Sequence, residues 1–501
     1  MAIQAELLLD FKASRGTISP MIYGHFSEHI GGVFYDGLWV GEDSPVENIR
    51  GFRKSLVESF RRIAPPVLRW PGGCFAETYD WRDGIGPRHM RPRRVNWWYR
   101  QDGRIESNQV GTHEFMDFCR MTGAAPYVAA NMTSVAPLHI RNWIEYCNFP
   151  AGSTTLADER AANGDSAPFN VRWWGIGNEN WGGGGQMTPE HCADEFIRFT
   201  TVCASVVSPD MRFIICGANG HDLEWTRHLL AQYASRKSHG VPAWGMSVHY
   251  YTGDGADVCF DEDGWYNTLF LADRMRGVID DHRLVMDAFD PERKISLVID
   301  EWGCWHRDGT GPSRGRNLFE QQSNMRDAAV AAMTLNLFNN RCDTVGMANI
   351  AQLCNNLHSL YLADGEHFVE TPNYHVFALF RDHMGARQLE TRVLAPEKEK
   401  QGCAPLSTLS VSASEKDGNL HLTFANLDIA SSSAIRLEGL PENAGRDCTL
   451  TVLHAPDPQT CNTFEDPYAV VPAEKNIRLD ADGVLTLPAA CVAALKIPLA
   501  P

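Results

Sequence analysis

The sequence predicts an α/β protein: a (β/α)8 TIM barrel followed by a C-terminal all-β sandwich. Three observations carry that expectation. Between about residues 20 and 385, eight short apolar runs alternate with longer helix-like stretches, and eight strand–helix repeats in roughly 250–400 residues is the arithmetic of a closed barrel. The first run is not followed by the GxGxxG or P-loop turn that an open doubly wound sheet usually carries. Beyond about residue 386 the helical patterns stop, and short alternating segments punctuated by Gly, Asp, Asn and Pro take over.

In chain order, residues 1–18 contain a strand-like ELLLDF, expected to join the sandwich as an edge strand. Residues 19–385 are expected to form the barrel. Its strands are read from MIYGHF (21–26), PVLRWPGG (66–73), PYVAANM (126–132), RWWGIGNE (172–179), RFIICGAN (212–219), WGMSVHYY (244–251), SLVIDEWG (296–303) and VGMANIAQ (345–352). Helices are expected between them, for example over 47–63, 112–123 and 324–340. Residues 386–501 supply the sandwich, with Asp-Gly turn signals at 417–418 and 482–483.

At 501 residues the chain is too long for one small core. Its 45 basic and 62 acidic residues give a net charge of −17, which opposes nucleic-acid phosphates and anionic membranes and favours a neutral partner. The N-terminus has Glu6 and Asp10 around its apolar run and no basic segment before it, so an export signal is not expected. No stretch reaches the ~18 apolar residues of a membrane span. The 14 cysteines are scattered without a CxxC pair and read as reduced thiols in a cytoplasmic protein. The sequon at Asn131-Met132-Thr133 is then irrelevant.

Barrel active sites lie at the C-terminal ends of the strands. Those ends carry His25, Glu28 and His29; Arg69 and Pro71-Gly72-Gly73-Cys74; Asn131; Asn178-Glu179; His249-Tyr250-Tyr251; Asp300-Glu301-Trp302; and Asn349 and Gln352. Two glutamates, Glu179 on the fourth run and Glu301 on the seventh, stand roughly across the mouth of an eight-strand ring. A carboxylate pair so placed suits cleavage of a glycosidic bond: one ionised nucleophile, one acid that later serves as base. Arg69 would keep a neighbouring nucleophile ionised. Asp300, adjacent to Glu301, should point to the other side of its strand and is read as structural.

Several strings then narrow the reading. GHFSEHIGG, RWPGGCFAETYDWRDGIGPRHMRPRR, WGIGNENWGGGG, SVHYYT, IDEWGCW, MANIAQ and FEDPYAVVP together resemble the α-L-arabinofuranosidases of glycoside hydrolase family 51, from about residue 20 to the end of the chain. The resemblance implies a retaining, exo-acting hydrolase of terminal arabinofuranose in arabinoxylan- or arabinan-derived oligosaccharides. It implies Glu179 as acid/base and Glu301 as nucleophile. Glu28, Asn178, Tyr251 and Gln352 would bond the sugar hydroxyls, and Cys74 would line the same pocket. Arg69 and His249 would support the carboxylates, and Trp305 and Trp98 would form apolar walls. It further implies no metal or organic cofactor and a homo-oligomer, often a hexamer. The four-glycine loop after Glu179 departs from the pattern of some members.

Rival readings stay open on the residues alone. His25-Phe26-Ser27-Glu28-His29 spells HxxEH, a zinc-peptidase pattern that requires a helix, whereas here an aromatic, strand-like run leads into the motif and two glycines follow it. A β-xylosidase or endoglucanase would use the same barrel and glutamate pair. A non-catalytic sugar-binding protein would keep the aromatics without needing the glutamates. Cys74, His249, Tyr251 and the tryptophans each have a plain packing alternative.

Overall fold

The computed structural model describes residues 2–236, 239–253, 255–307, 309–480 and 482–500. Each of the eight apolar runs supplies one strand: β1 (Gly24–Phe26), β2 (Val67–Trp70), β3 (Ala125–Ala130), β4 (Trp173–Ile176), β5 (Arg212–Ile215), β6 (Ala243–Thr252), β7 (Ser296–Cys304) and β8 (Val345–Ala351). They close into a barrel in the order β5-β6-β7-β8-β1-β2-β3-β4. The pairing is parallel, with His25 opposite Leu68, Arg69 opposite Tyr127, Val128 opposite Trp174 and Ile176 opposite Ile215. Every residue of β2 and β4 is buried. Strands covered on both faces need continuous rather than alternating apolarity, which is why the runs were legible.

One expected helix is shorter than its pattern. Over 47–63 the helix begins only at Lys54. Before it, Asn48–Ile49 pairs antiparallel with Phe52–Arg53, turning through Arg50 and Gly51 at φ +54° and +88°. Two successive left-handed residues cannot continue a right-handed helix. The other two expected helices occupy Thr112–Thr122 and Met325–Asn339. The first stops at Gly123, left-handed at φ +84°. The second is buried along its whole length, as its all-round Ala, Leu, Met and Phe content requires. Its Asn336 and Asn339 donate to the hydroxyls of Ser410 and Ser412 at 3.2 and 3.0 Å.

The chain divides into two compact units. Gly24–Tyr250 with Val278–Glu301 contains β1 to β5 and most of β6 and β7. The second unit combines Met1–Tyr23, Tyr251–Gly277 and Trp302–Pro501, and contains a nine-stranded sheet. That sheet folds over one apolar cluster, which includes Leu7, Leu389, Leu422, Phe424, Ile435, Leu485 and Leu495, so it is a β-sandwich. Ile3–Asp10 is not an edge strand of it. It runs antiparallel to Arg387–Leu394 and parallel to Ser433–Glu438, hydrogen-bonded on both sides. It carries no proline or lysine of the kind that protects an edge, and its alternation puts Ala5, Leu7 and Leu9 in the core. Among the described residues no helix is long and apolar enough to cross a membrane. The cysteines are free thiols, mostly buried.

Leu7 therefore packs in the middle of the sandwich rather than at its margin. Leu7→Ala should cost about 2–5 kcal/mol, read as a lower urea midpoint of the sandwich transition. An unchanged midpoint would mean that the N-terminal strand adds nothing to that core.

Candidate active site

The site is organised around two buried cationic side chains. Arg69 projects from β2 with its guanidinium 4.5 Å over the Phe26 ring. Its Nη1 donates to Glu301 Oε1 at 2.7 Å and its Nη2 to Asn178 Oδ1 at 2.5 Å, while Nε lies 3.5 Å from Asp300 Oδ2. His249, on β6, is the second. Its Nδ1 lies 2.9 Å from Glu179 Oε1 and 3.4 Å from Glu301 Oε2, and its Nε2 lies 3.0 Å from Asp300 Oδ1. Burial works against a charge on His249, but Glu301, Asp300 and Glu179 around it outweigh burial and hold its proton well above the usual histidine range.

Asp300 is a correction to the sequence reading. Alternation is expected to separate it from Glu301, yet both carboxylates reach the same two cations, Arg69 and His249. Besides His249 and Arg69, it accepts the Tyr127 hydroxyl at 2.8 Å. Gly175 on β4 makes room for that hydroxyl, because a Cβ there would lie 2.8 Å from it. Burial raises the Asp300 carboxyl, yet Arg69 and His249 bring it below the ordinary range.

Glu179 sits just beyond β4 at φ +44°, an uncommon conformation for a non-glycine residue. Burial pushes its carboxyl up, and the His249 hydrogen bond outweighs this and pulls it down. Its second oxygen faces the Cys74 thiol, which donates to Oε2 at 3.4 Å. The glycine loop is built for this turn. Gly182 and Gly184 donate back to the Glu179 carbonyl at 2.7 and 3.1 Å, a Cβ on Gly183 would stand 2.7 Å from the Cys74 sulfur, and Gly184 lies flat on the Asn178 carbonyl.

Glu28 faces the same space. Its Oε1 accepts Phe75 N–H at 2.9 Å and the Trp98 indole N–H at 3.2 Å. Burial, with the Glu301 charge second, pushes its carboxyl up to about 7. The Pro71-Gly72-Gly73 turn lies flat against both carboxylates: a Cβ on Gly72 would stand 2.7 Å from Glu28 Cγ, and one on Gly73 would stand 2.8 Å from Glu301 Oε1. The first compact unit thus brings together Glu28, Arg69, Cys74, Trp98, Asn178, Glu179, His249 and Glu301. Tyr251, Trp305 and Gln352 belong to the second. There the Tyr251 and Trp305 rings meet edge to face at 5.2 Å, Trp305 also packs on Phe319, and Gln352 is buried just after β8 with its N–H on the Asn356 carbonyl at 3.2 Å.

The HxxEH letters do not form a metal site. They span the end of β1 and a bend, not a helix. His25 packs edge-on against Phe60. His29 has both ring nitrogens engaged, with Glu106 at 2.9 Å and the Trp70 indole N–H at 3.0 Å. Among the described residues two other groups have donor atoms close enough to surround a cation: Glu179, His249 and Glu301, and Cys304, His306 and Asp327. Each already has a guanidinium in place, Arg69 at Glu301 and Arg326 Nη2 at 3.4 Å from His306 Nε2.

Sequence reasoning missed Glu77. This buried carboxylate accepts four N–H groups: Met132 and Thr133 backbone at 2.8 Å each, Asn178 backbone at 2.6 Å and Asn180 Nδ2 at 3.1 Å. No local pattern signals it, because its partners come from two other strand ends.

Comparison with known proteins gives concordant results. The model of an α-L-arabinofuranosidase 1 domain matches residues 59–252, and that of an α-L-arabinofuranosidase C-terminal domain matches 300–490. The chain is 35% identical over 510 aligned positions to a Bacteroides ovatus protein named intracellular exo-alpha-L-arabinofuranosidase, covering 99% of this chain and 96% of that one. Among solved structures, the GH51 arabinofuranosidase of Xanthomonas axonopodis pv. citri superposes with a TM-score of 0.90 at 37% identity, covering 99% of both chains. An arabinose complex of the α-L-arabinofuranosidase of Thermotoga maritima superposes with a TM-score of 0.87 at 29% identity, covering 99% of this chain and 100% of that one.

Two outcomes follow from the geometry. Gly73→Ala should push Glu301 off Arg69 and lower kcat by about 100-fold while circular dichroism and melting stay close to the parent; full activity would show that the carboxylate has room to yield. Glu28 titrates higher folded than unfolded, so the stability it contributes is present below about 4.5 and is lost as the pH rises through about 7. Glu28→Gln should flatten the fall in melting temperature across that window. An unchanged slope would assign the pH dependence elsewhere.

Proposed function

The chain belongs to the α-L-arabinofuranosidases of glycoside hydrolase family 51, and from that premise we propose that it releases terminal arabinofuranose with retention of configuration, through a double displacement on Glu301 and Glu179. One observation carries the mechanism: an oxygen of Glu179 and an oxygen of Glu301 lie within 4.8 Å of each other. Retaining pairs stand about 5–5.5 Å apart, and inverting pairs stand further apart to admit a water.

Glu301, held by Arg69, attacks the anomeric carbon. Glu179 gives a proton to the leaving oxygen. His249 Nδ1, 2.9 Å from Glu179 Oε1, is the group through which that carboxyl exchanges its proton. Forming the arabinosyl ester removes the charge of Glu301. Glu179, which gave up its proton in the same step, takes one from the incoming water as that water displaces the Glu301 carboxylate from the anomeric carbon. Glu28 and Asn178 are proposed to bond sugar hydroxyls, with Cys74 and Trp98 lining the same space. The parts given to Tyr251, Gln352 and Trp305 rest on the family pattern alone.

The substrates we propose are short oligosaccharides from arabinoxylan or arabinan, cleaved in the cytoplasm. The Bacteroides ovatus relative, named as an intracellular exo-acting enzyme, supports this. A homo-oligomer is part of the same proposal, and sedimentation as a monomer would remove it.

Proton NMR of the first-formed product tests the stereochemistry: α-arabinofuranose should appear before mutarotation, and initial β-product would overturn the mechanism. Glu301→Ala should lose roughly 10⁴-fold or more in kcat. Across p-nitrophenyl α-L-arabinofuranoside, β-D-xyloside and β-D-cellobioside, kcat/KM should favour the arabinofuranoside and be insensitive to EDTA. Preference for either of the others would replace the substrate while leaving the pair its chemistry.

A further inference from the structure

Glu77 sits on the short 3-10 turn Cys74–Thr78 that follows β2, and it is 1% exposed. Its Oε2 accepts the backbone N–H groups of Met132 and Thr133, which follow β3. Its Oε1 accepts the Asn178 N–H and the Asn180 side-chain amide, on either side of Glu179. One carboxylate therefore ties three consecutive strand ends together. All four partners are uncharged N–H donors. A carboxylate is the side chain that offers acceptor sites for four of them and brings no donor of its own.

The tie is specific in where it falls. Glu179 is the residue between the two that Oε1 holds, and it is the one at φ +44°. Asn180 Nδ2 also reaches the Gly184 carbonyl at 2.7 Å, so the same contact closes the glycine loop that turns Glu179 toward His249 and Cys74. A left-handed backbone at a non-glycine residue persists only where its surroundings over-determine it, and here Glu77 supplies that restraint. We propose that Glu77 is a positioning residue for the acid/base: it fixes the backbone on both sides of Glu179 so that the Glu179 carboxyl reaches the leaving-group oxygen. The inference rests on Glu179 being the acid/base.

The readout is leaving-group dependence. Cleavage of 2,4-dinitrophenyl α-L-arabinofuranoside needs no protonation of its leaving group, whereas 4-methoxyphenyl α-L-arabinofuranoside does. For Glu77→Gln, whose amide sets a donor against N–H donors, kcat/KM on the dinitrophenyl substrate should stay within about 5-fold of the parent. On the methoxyphenyl substrate it should fall by about 100-fold, in the range of a lost general acid. Glu77→Asp, which keeps the charge but falls short of the four donors, is the fallback if Glu77→Gln does not fold, and should show the same selectivity to a smaller degree. Equal losses on both substrates, tracking a lower melting temperature, would make Glu77 merely structural and overturn the inference, as would no loss on either. Glu179→Ala is run alongside. If it shows no leaving-group selectivity, the acid/base assignment itself fails and takes the role of Glu77 with it; if it does and Glu77→Gln does not, only the inference about Glu77 falls.

Discussion

The balance of buried charge in the barrel mouth is the constraint on which the rest depends. Glu28, Asp300 and Glu301 are buried, with Glu179 beside them, against one guanidinium and one imidazolium. Burying charges in excess of their partners costs several kcal/mol per ion, so the site stays folded only if protons make up the difference. Glu28, pushed toward neutrality, absorbs part of the imbalance. The proposed chemistry uses what the fold already holds: a carboxylate paired with Arg69, and a histidine that keeps its proton because carboxylates surround it.

Backbone shape serves that balance. Glycines at 72 and 73 let main chain pass within van der Waals distance of two carboxylates, and Gly175 admits the Tyr127 hydroxyl below them. These positions carry no chemistry of their own, yet a methyl group at any of them would displace a group that does. The same letters in another backbone mean something else. In the HxxEH segment the strand and bend send His25, Glu28 and His29 to three different partners.

Much of this was legible in the sequence, for physical reasons. Strands buried on both faces must be apolar throughout, so all eight barrel strands appeared as runs, and a polar residue ending such a run stands out. Helices with a simple apolar stripe or all-round apolarity were also readable. What failed were contacts set by closure in three dimensions. Alternation assigned Asp300 and Glu301 to opposite sides of their strand, whereas both carboxylates meet the same two cations, Arg69 and His249. Glu77 finds donors 55, 56, 101 and 103 positions away, and nothing in its neighbourhood announces them. The N-terminal strand was recognisable as a strand, but its place inside the sheet depends on a parallel partner more than 400 residues later.

The left-handed backbone at Glu179 has a consequence for how such a protein tolerates change. Glycine would occupy that position without strain, and it would also remove one carboxylate from a crowded, electron-rich cavity. Selection for folding alone would therefore drift toward a robust, inert chain. On the proposed mechanism, glutamate at this position marks a site where catalysis and thermodynamic stability pull in opposite directions. Efforts to make the protein hardier by consensus or by computed stability would be drawn first to the residues it can least do without.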